Sequence, residues 1–352
     1  MILYDAHIPL AQYSGIITEE LMPLDGRKIT KKVLLETGAR ALFVRSVTPI
    51  NDDLISGTSI RFVGTATAGY EHVDIQSLRK KGIGFAYAPG SNAMPVVEYV
   101  FFALHEWINS QNQSLKGKTI GIIGMGEIGK RIAKMCRDMG MHVLASDPPL
   151  ETYGLMKSED YELTSLKDIC RESDCITIHS ALTHSGLFPS MNLLQDIHFS
   201  MMKPGALLIQ ASRGGIVNER ALLNALNTND LHLAIDVWDG EPRWNAQIAN
   251  HHRVFMTTPH IAGYTSSARK RGIEMIVKQY CEFYGMECQI QHSDTEGISY
   301  QNPNAISLLR ERRFAKDKME WLKGKEIDAQ MFDEGRRQFM HDQETFAEIS
   351  LS

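Results

Sequence analysis

Gly124-Met125-Gly126-Glu127-Ile128-Gly129 constrains this chain more than any other stretch. A G-x-G-x-x-G spacing is weak alone. Here it follows the apolar run Thr119–Ile123 and opens a helix-like segment, Glu127–Met139, that stops at Gly140. A second apolar run then ends in Asp147, 21 residues after Gly126. Strand, glycine turn, helix, strand and acid in this order form a dinucleotide-binding fingerprint. The first glycine permits the tight turn, the second lets a pyrophosphate approach the backbone, and the third lets the helix sit close to the strand. The helix N-terminus offers unpaired N–H groups to the phosphates. Asp147 can accept from both ribose hydroxyls and repel a 2′-phosphate, which favours NAD over NADP. The competing reading of Asp147 is a helix cap before Pro148-Pro149.

The rest of the chain suits such a unit. At 352 residues it is long enough for about two domains. Lys+Arg is 37 and Asp+Glu is 42, a net charge of −5, which excludes a strongly basic nucleic-acid binder. Apolar residues at 43% with 22% charged fit a globular protein and exclude disorder as the main state. The five cysteines (Cys136, Cys170, Cys175, Cys281, Cys288) form no Cys-x-x-Cys pair, so neither a disulfide framework nor a metal site is expected. The N-terminus has no basic region leading into a long apolar run. The most apolar stretch, Val96–Ile108, is interrupted by Glu98, His105 and Glu106, so no membrane span is expected. These features predict a cytoplasmic protein.

Apolar runs at Ile2–Tyr4, Ala41–Val44, Phe62–Gly64 and Gly84–Ala86 alternate with helix-like segments, a βαβ rhythm with parallel strands. Asn92-Ala93-Met94-Pro95 opens a long helix that is apolar on nearly all faces and so belongs in a core. A second series of strands is predicted at Thr119–Ile123, His142–Ala145, Cys175–Ile178, Ala206–Gln210, Leu233–Val237 and Val254–Thr257, which suits a doubly wound sheet. Thr265–Tyr284 reads as one more helix, Gln289–Asn304 as loop, and Ile306–Ser352 as charge-dense with few apolar residues.

Three clusters follow successive strands: Ala211-Ser212-Arg213-Gly214-Gly215, Asp236 through Glu241-Pro242, and Pro259-His260 through Thr265. Ligands of open α/β sheets bind beyond the carboxyl ends of strands, so Arg213, Glu241 and His260 can converge on one crevice. That set suits a 2-hydroxy acid. Arg213 supplies a fork for the carboxylate. His260 is the base for the hydroxyl proton as hydride leaves the carbon. Glu241 orients the ring and favours its protonated form. In the N-terminal part, Arg45 ends a strand beside Ser46 and Thr48, and Gly64–Gly69 exposes backbone N–H groups and hydroxyls that suit an anion. The competing readings are a surface salt bridge for Arg45 and an ordinary turn for Gly64–Gly69. Tyr264 touches substrate or caps the final helix. His72 is notable but is given no catalytic role.

The segments Gly121–Gly129, Lys203–Ala206, Ala211–Val217, Asp236–Pro242 and His260–Thr265 resemble the D-isomer-specific 2-hydroxyacid dehydrogenase family over roughly residues 1–285. The resemblance implies an α/β fold in which a Rossmann-type NAD domain, 93–259, is inserted in a discontinuous flavodoxin-like substrate domain, 1–92 and 260–285. It implies Arg213, Glu241 and His260 as the catalytic set. Val44–Thr48, Phe62–Gly69, His72–Asp74, Ala88–Ala93, Val96–Val100, Ser146–Pro149 and Ile261–Thr265 are similar to the members of that family that oxidise 4-phospho-D-erythronate in vitamin B6 synthesis. That closer likeness implies substrate contacts at Arg45, Ser46, Thr67 and Tyr264. It implies NAD contacts at Gly124, Gly126, Glu127, Ile128, Gly129, Asp147, Ser180, Ala211, Ser212, Arg213, Asp236 and Gly263. Position 180 is Ser where that group has Thr, and the hydroxyl is kept. Phe332-Asp333-x-x-Arg336-Arg337 resembles part of a dimerisation region, here a short 286–352, so a homodimer is expected. Two alternatives stay open: another member of the family, of phosphoglycerate or glyoxylate/hydroxypyruvate type, or a non-catalytic NAD-sensing scaffold that binds peptides.

Overall fold

The computed structural model describes residues 1–154, 159–290, 297–320 and 328–348. The chain divides into two units, Met1–Asn92 with Ser267–Asp294, and Ala93–Ser266 with Thr295–Ser352.

In the first unit, β1 (Ile2–Asp5), β2 (Leu21–Leu24), β3 (Ala41–Val44), β4 (Phe62–Thr65) and β5 (Gly84–Ala86) form one parallel sheet in the order β2-β1-β3-β4-β5. Every residue of β1, β3 and β4 is buried. Continuous apolar runs of this kind belong to parallel strands covered on both faces. The helix Ser266–Tyr284 supplies part of that cover, with Tyr280 against the rings of Phe43 and Phe62. Strand β2 is not among the strands read from the sequence, because Pro23 sits in its middle. It pairs with β1 alone, and an edge strand tolerates a missing N–H.

The second unit carries β6 (Thr119–Ile123), β7 (His142–Ser146), β8 (Glu162–Leu163), β9 (Cys175–Ile178), β10 (Leu207–Gln210), β11 (His232–Ile235) and β12 (Val254–Thr257). All are parallel, in the order β12-β11-β10-β9-β6-β7-β8. The first six elements in this sheet's own chain order run 3-2-1-4-5-6, the doubly wound Rossmann order, and direction reverses between β6 and β9. Strand β8 is a two-residue exposed edge without apolar alternation, so its sequence carries no strand signal, and β12 extends the sheet by a seventh strand. The helix Ala93–Ser110 is buried along most of its length, as its all-round apolarity predicts.

The residues after 294 group with the seven-stranded unit and carry helices Ala305–Arg312, Lys316–Glu320 and Ala329–Arg337. Among the described residues of this segment, Leu309, Phe314, Phe332, Phe339 and Phe346 are buried. No helix among the described residues is long and apolar enough to cross a membrane. All five cysteines are free thiols.

Candidate active site

The glycine turn sits at the carboxyl end of β6, at the switch point. Gly124 takes φ +95°, and a Cβ there would lie 2.5 Å from the Ser180 backbone nitrogen. A Cβ on Gly129 would lie 2.1 Å from the Gly124 carbonyl oxygen, so only glycine lets the helix Glu127–Asp138 start this close to the turn. Gly126 is different: a Cβ there meets nothing within 4 Å, and no side chain caps the helix it begins. Ser180 Oγ, beyond β9, is buried without a hydrogen-bond partner. An open backbone, an uncapped helix N-terminus and an unsatisfied hydroxyl fit a pyrophosphate and its ribose. Glu127 lies in the helix's first turn, with its carboxylate paired to Arg131, and Ile128 is half-buried against the core. Asp147 follows β7. Its Oδ1 accepts from Leu150 N at 3.1 Å, capping the next helix, and its Oδ2 accepts from Met125 N at 2.8 Å, inside the glycine turn. The cap reading of Asp147 therefore holds, and the same carboxylate ties β7 to the turn.

The three clusters lie beyond β10, β11 and β12, which are neighbours in the sheet. Adjacent strands stand only ~4.8 Å apart. Beyond β10, Ala211 and Ser212 are buried, Ser212 Oγ donates to Gln210 Oε1 at 3.1 Å, and Arg213 Nη1 donates to the Ser212 carbonyl at 2.9 Å. Gly214 is pressed against the next loop, where a Cβ would fall 1.8 Å from the Trp238 carbonyl oxygen. Beyond β11, the Asp236 carboxylate is buried. It accepts from Ile261 N at 2.7 Å, Ala262 N at 2.9 Å and Thr258 Oγ1 at 2.6 Å, while its carbonyl accepts from His260 N at 2.7 Å. Asp236 thus builds the turn that carries His260 and leads on to Gly263.

His260 Nδ1 donates to Glu241 Oε2 at 2.7 Å. Glu241 Oε1 accepts from Trp238 N at 2.9 Å. Burial alone would raise the Glu241 carboxyl, but His260, the Trp238 N–H and Arg336 outweigh it and hold the group below its ordinary value. With Nδ1 engaged, Nε2 is the ring nitrogen available for proton transfer. His260 itself takes φ 56°. A non-glycine residue there costs about 1–3 kcal/mol, which the surrounding hydrogen bonds must offset. Tyr264 N donates to the Ile261 carbonyl, and the Arg336 guanidinium stands 5.0 Å over its ring. His179, the other histidine of this sheet edge, is pushed down to about 3 by burial and stays neutral.

In the first unit, Arg45 Nε donates to Asp5 Oδ2 at 2.9 Å and Nη2 to Oδ1 at 3.3 Å. Asp5 is fully buried. Burial raises its carboxyl, but the His7 N–H and Arg45 outweigh this and lower it. The salt bridge considered for Arg45 exists, with a buried partner. Ser46 is exposed beside it. Thr67 Oγ1 bonds Thr65 Oγ1 at 2.7 Å and donates to the Gly69 carbonyl at 2.7 Å, and His72 Nε2 closes the chain on Thr65 Oγ1 at 3.0 Å. Gly64–Gly69 is therefore the end of β4 and a following bend organised by hydroxyls. Among the described residues, no cluster of three metal-ligating side chains occurs.

Sequence reasoning missed several residues that shape this edge. Thr258 and Trp238 are joined by a hydrogen bond from Trp238 Nε1 to the Thr258 carbonyl at 3.1 Å. Arg313 and Arg336 come from the far end of the chain. Nothing local marks an arginine in a charge-dense tail as buried.

A glycine-turn dinucleotide unit with Arg, Glu and His at its strand ends defines a nicotinamide-linked oxidoreductase. The family profile described as D-isomer specific 2-hydroxyacid dehydrogenase, NAD binding domain, matches residues 101–262, and the chain belongs to this family. NAD is its cofactor. The chain is 39% identical over 293 residues to the erythronate-4-phosphate dehydrogenase of Proteus mirabilis strain HI4320, covering 83% of this chain and 76% of that one. It is equally 39% identical over 287 residues to the erythronate-4-phosphate dehydrogenase of Shigella flexneri serotype 5b, covering 81% and 74%. The crystal structure of the Aquifex aeolicus D-lactate dehydrogenase with NAD and lactic acid shares the fold, with a TM-score of 0.66 and 24% identity over 81% of this chain and 96% of that one.

Proposed function

We propose that the protein oxidises 4-phospho-D-erythronate at C2 with NAD, giving (R)-3-hydroxy-2-oxo-4-phosphooxybutanoate in pyridoxal 5′-phosphate synthesis. The observation that carries the reading is the 2.7 Å pair between His260, beyond β12, and Glu241, beyond the β11 that adjoins the strand of Arg213, in a chain 39% identical to erythronate-4-phosphate dehydrogenases. Arg213 holds the substrate carboxylate. His260 Nε2 takes the C2 hydroxyl proton, and Glu241 keeps the ring in place and stabilises the imidazolium that results. Bound NAD supplies the acceptor for the C2 hydride. Gly124, Gly126, Glu127, Ile128 and Gly129 hold its pyrophosphate, and Asp147, Ser180, Ala211, Ser212, Asp236 and Gly263 hold the remainder. Residues 1–92 and 260–285 act as the substrate domain, where Arg45, Ser46 and Thr67, with Tyr264, recognise the phosphorylated substrate. Residues 286–352 act as a dimerisation region, and the enzyme works as a homodimer in the cytoplasm. The five free thiols are in keeping with a reducing compartment.

The test is a substrate panel with purified protein and NAD, following NADH. It holds 4-phosphoerythronate, 3-phosphoglycerate, glycerate and D-lactate, with a 2-oxo acid in a parallel series so that tightly held NADH can be reoxidised. Preference for 4-phosphoerythronate is expected. Turnover of an unphosphorylated acid alone would discard the phosphate site, and silence throughout would favour the peptide-binding scaffold.

A further inference from the structure

Arg313 lies just past the helix Ala305–Arg312 and is fully buried, far along the chain from the glycine turn and the three clusters. Its Nη2 donates to the Ala262 carbonyl at 3.0 Å and the Ile261 carbonyl at 3.4 Å, the two residues that follow His260. Its Nη1 donates to Glu98 Oε2 at 2.7 Å and the Pro95 carbonyl at 2.8 Å. Glu98, the one acid buried in the apolar helix Ala93–Ser110, turns its other oxygen to the N–H groups of Thr345 and Phe346, the latter at 2.7 Å. The peptide groups of Ile261 and Ala262 are therefore held from both sides: Asp236 accepts from their N–H groups and Arg313 donates to their carbonyls. The grip continues along the loop. Thr265 Oγ1 donates to Glu344 Oε1 at 2.9 Å, Ser266 N donates to the Asp342 carbonyl at 3.0 Å, and Arg336 covers Tyr264.

We infer that the C-terminal segment is part of the acid–base apparatus of its own chain, with Arg313 the positioning residue that holds the His260 turn in register with Glu241. The physical need is visible at His260, whose left-handed backbone is costly and is kept by pinning the two residues that follow it. A planar guanidinium can bind two successive carbonyls and a carboxylate together, whereas an ammonium is a point charge on a flexible stem. An ångström of drift in a catalytic group costs up to ~100-fold in rate. Arg313 touches neither substrate nor cofactor in this role, which rests on His260 being the base proposed above.

The test compares wild type with Arg313→Lys and the milder Glu344→Gln. The first readout is an NMR titration of the His260 ring in NAD-loaded protein, assigned by loss of its signal in His260→Gln. It needs no turnover, so it stays informative even if 4-phosphoerythronate is not the substrate. The second is kcat, KM and the kinetic isotope effect of C2-deuterated substrate. Arg313→Lys is expected to move the His260 titration to lower pH, as the ring drifts from Glu241. It should lower kcat ~10-fold or more, raise the isotope effect and leave the Kd for NAD within about twofold. Glu344→Gln should move the same quantities less. Should Arg313→Lys not fold, Glu344→Gln decides. An unchanged His260 titration in the folded variant, with kcat unchanged, would overturn the inference.

Discussion

At the scale of single residues, His260 holds a costly backbone conformation and a short contact to Glu241, and the two together specify how it should behave when altered. His260→Ala is expected to lower kcat by ~10²-fold or more, the usual contribution of a general base, and steady-state rates check this. Oxidation needs a neutral ring to take the hydroxyl proton. Glu241→Gln removes the carboxylate that accepts from His260 Nδ1, and kcat should fall, as the same steady-state rates check. Asp5 gives a stability test with a definite sign. Its carboxyl is lowered in the folded protein, where the His7 N–H and Arg45 outweigh burial. It therefore contributes stability above its unfolded pKa that is lost as pH falls through the folded one. Asp5→Asn should lower the Tm at neutral pH, and the gap from wild type should close in acid. His260 and Glu241 are readable as candidates because their types and order suit one chemistry, whereas nothing in the sequence marks Asp5 as the partner of Arg45. Asp147 was readable only in part. Its acid after β7 signals a ribose partner, yet the same carboxylate also caps a helix and binds Met125 N, contacts that no spacing reveals.

At the scale of elements, most strands carry their own evidence, and the two that lose it, β2 and β8, are edge strands. Buried β3 is an unbroken apolar run, Ala41–Val44, while β2 contains Pro23 and β8 is two exposed residues. In the proposed function the glycine turn is the element that would hold NAD. Gly129→Ala places a methyl 2.1 Å from the Gly124 carbonyl and should destabilise the protein by about 1–3 kcal/mol or more, with weaker NAD binding. Thermal unfolding with and without NAD separates the two effects. Gly126→Ala, where a Cβ meets nothing within 4 Å, should leave the Tm of the NAD-free protein nearly unchanged and raise the Kd for NAD. Loss of stability without loss of binding would contradict the role of Gly126 in the pyrophosphate site.

At the scale of the whole molecule, the two parallel sheets are what the sequence determined by itself. A sheet covered on both faces needs apolar runs of strand length, separated by helix-period segments, and that pattern is local. The dinucleotide unit was equally local, since the glycine turn, its strand and its helix are neighbours in sequence. The tail was the opposite case. Its sequence reads as charge-dense with few apolar residues, yet Leu309, Phe314, Phe332, Phe339 and Phe346 are buried and Arg313 pairs with Glu98 across 215 residues. A buried charge is tolerable only with a partner, and the partner's identity exists only once both segments are folded together. Removing one member alone leaves an uncompensated buried charge, so Glu98→Gln should cost about 3–5 kcal/mol. Glu98→Gln with Arg313→Met should recover part of that loss, as a double-mutant cycle in denaturant would measure. Sequence determined which residues could do the chemistry, because residue type and spacing set what a side chain can bind or protonate. The tertiary structure alone decided how the His260 loop is held, because its donors and acceptors come from Asp236 on one side and from the distant C-terminal segment on the other.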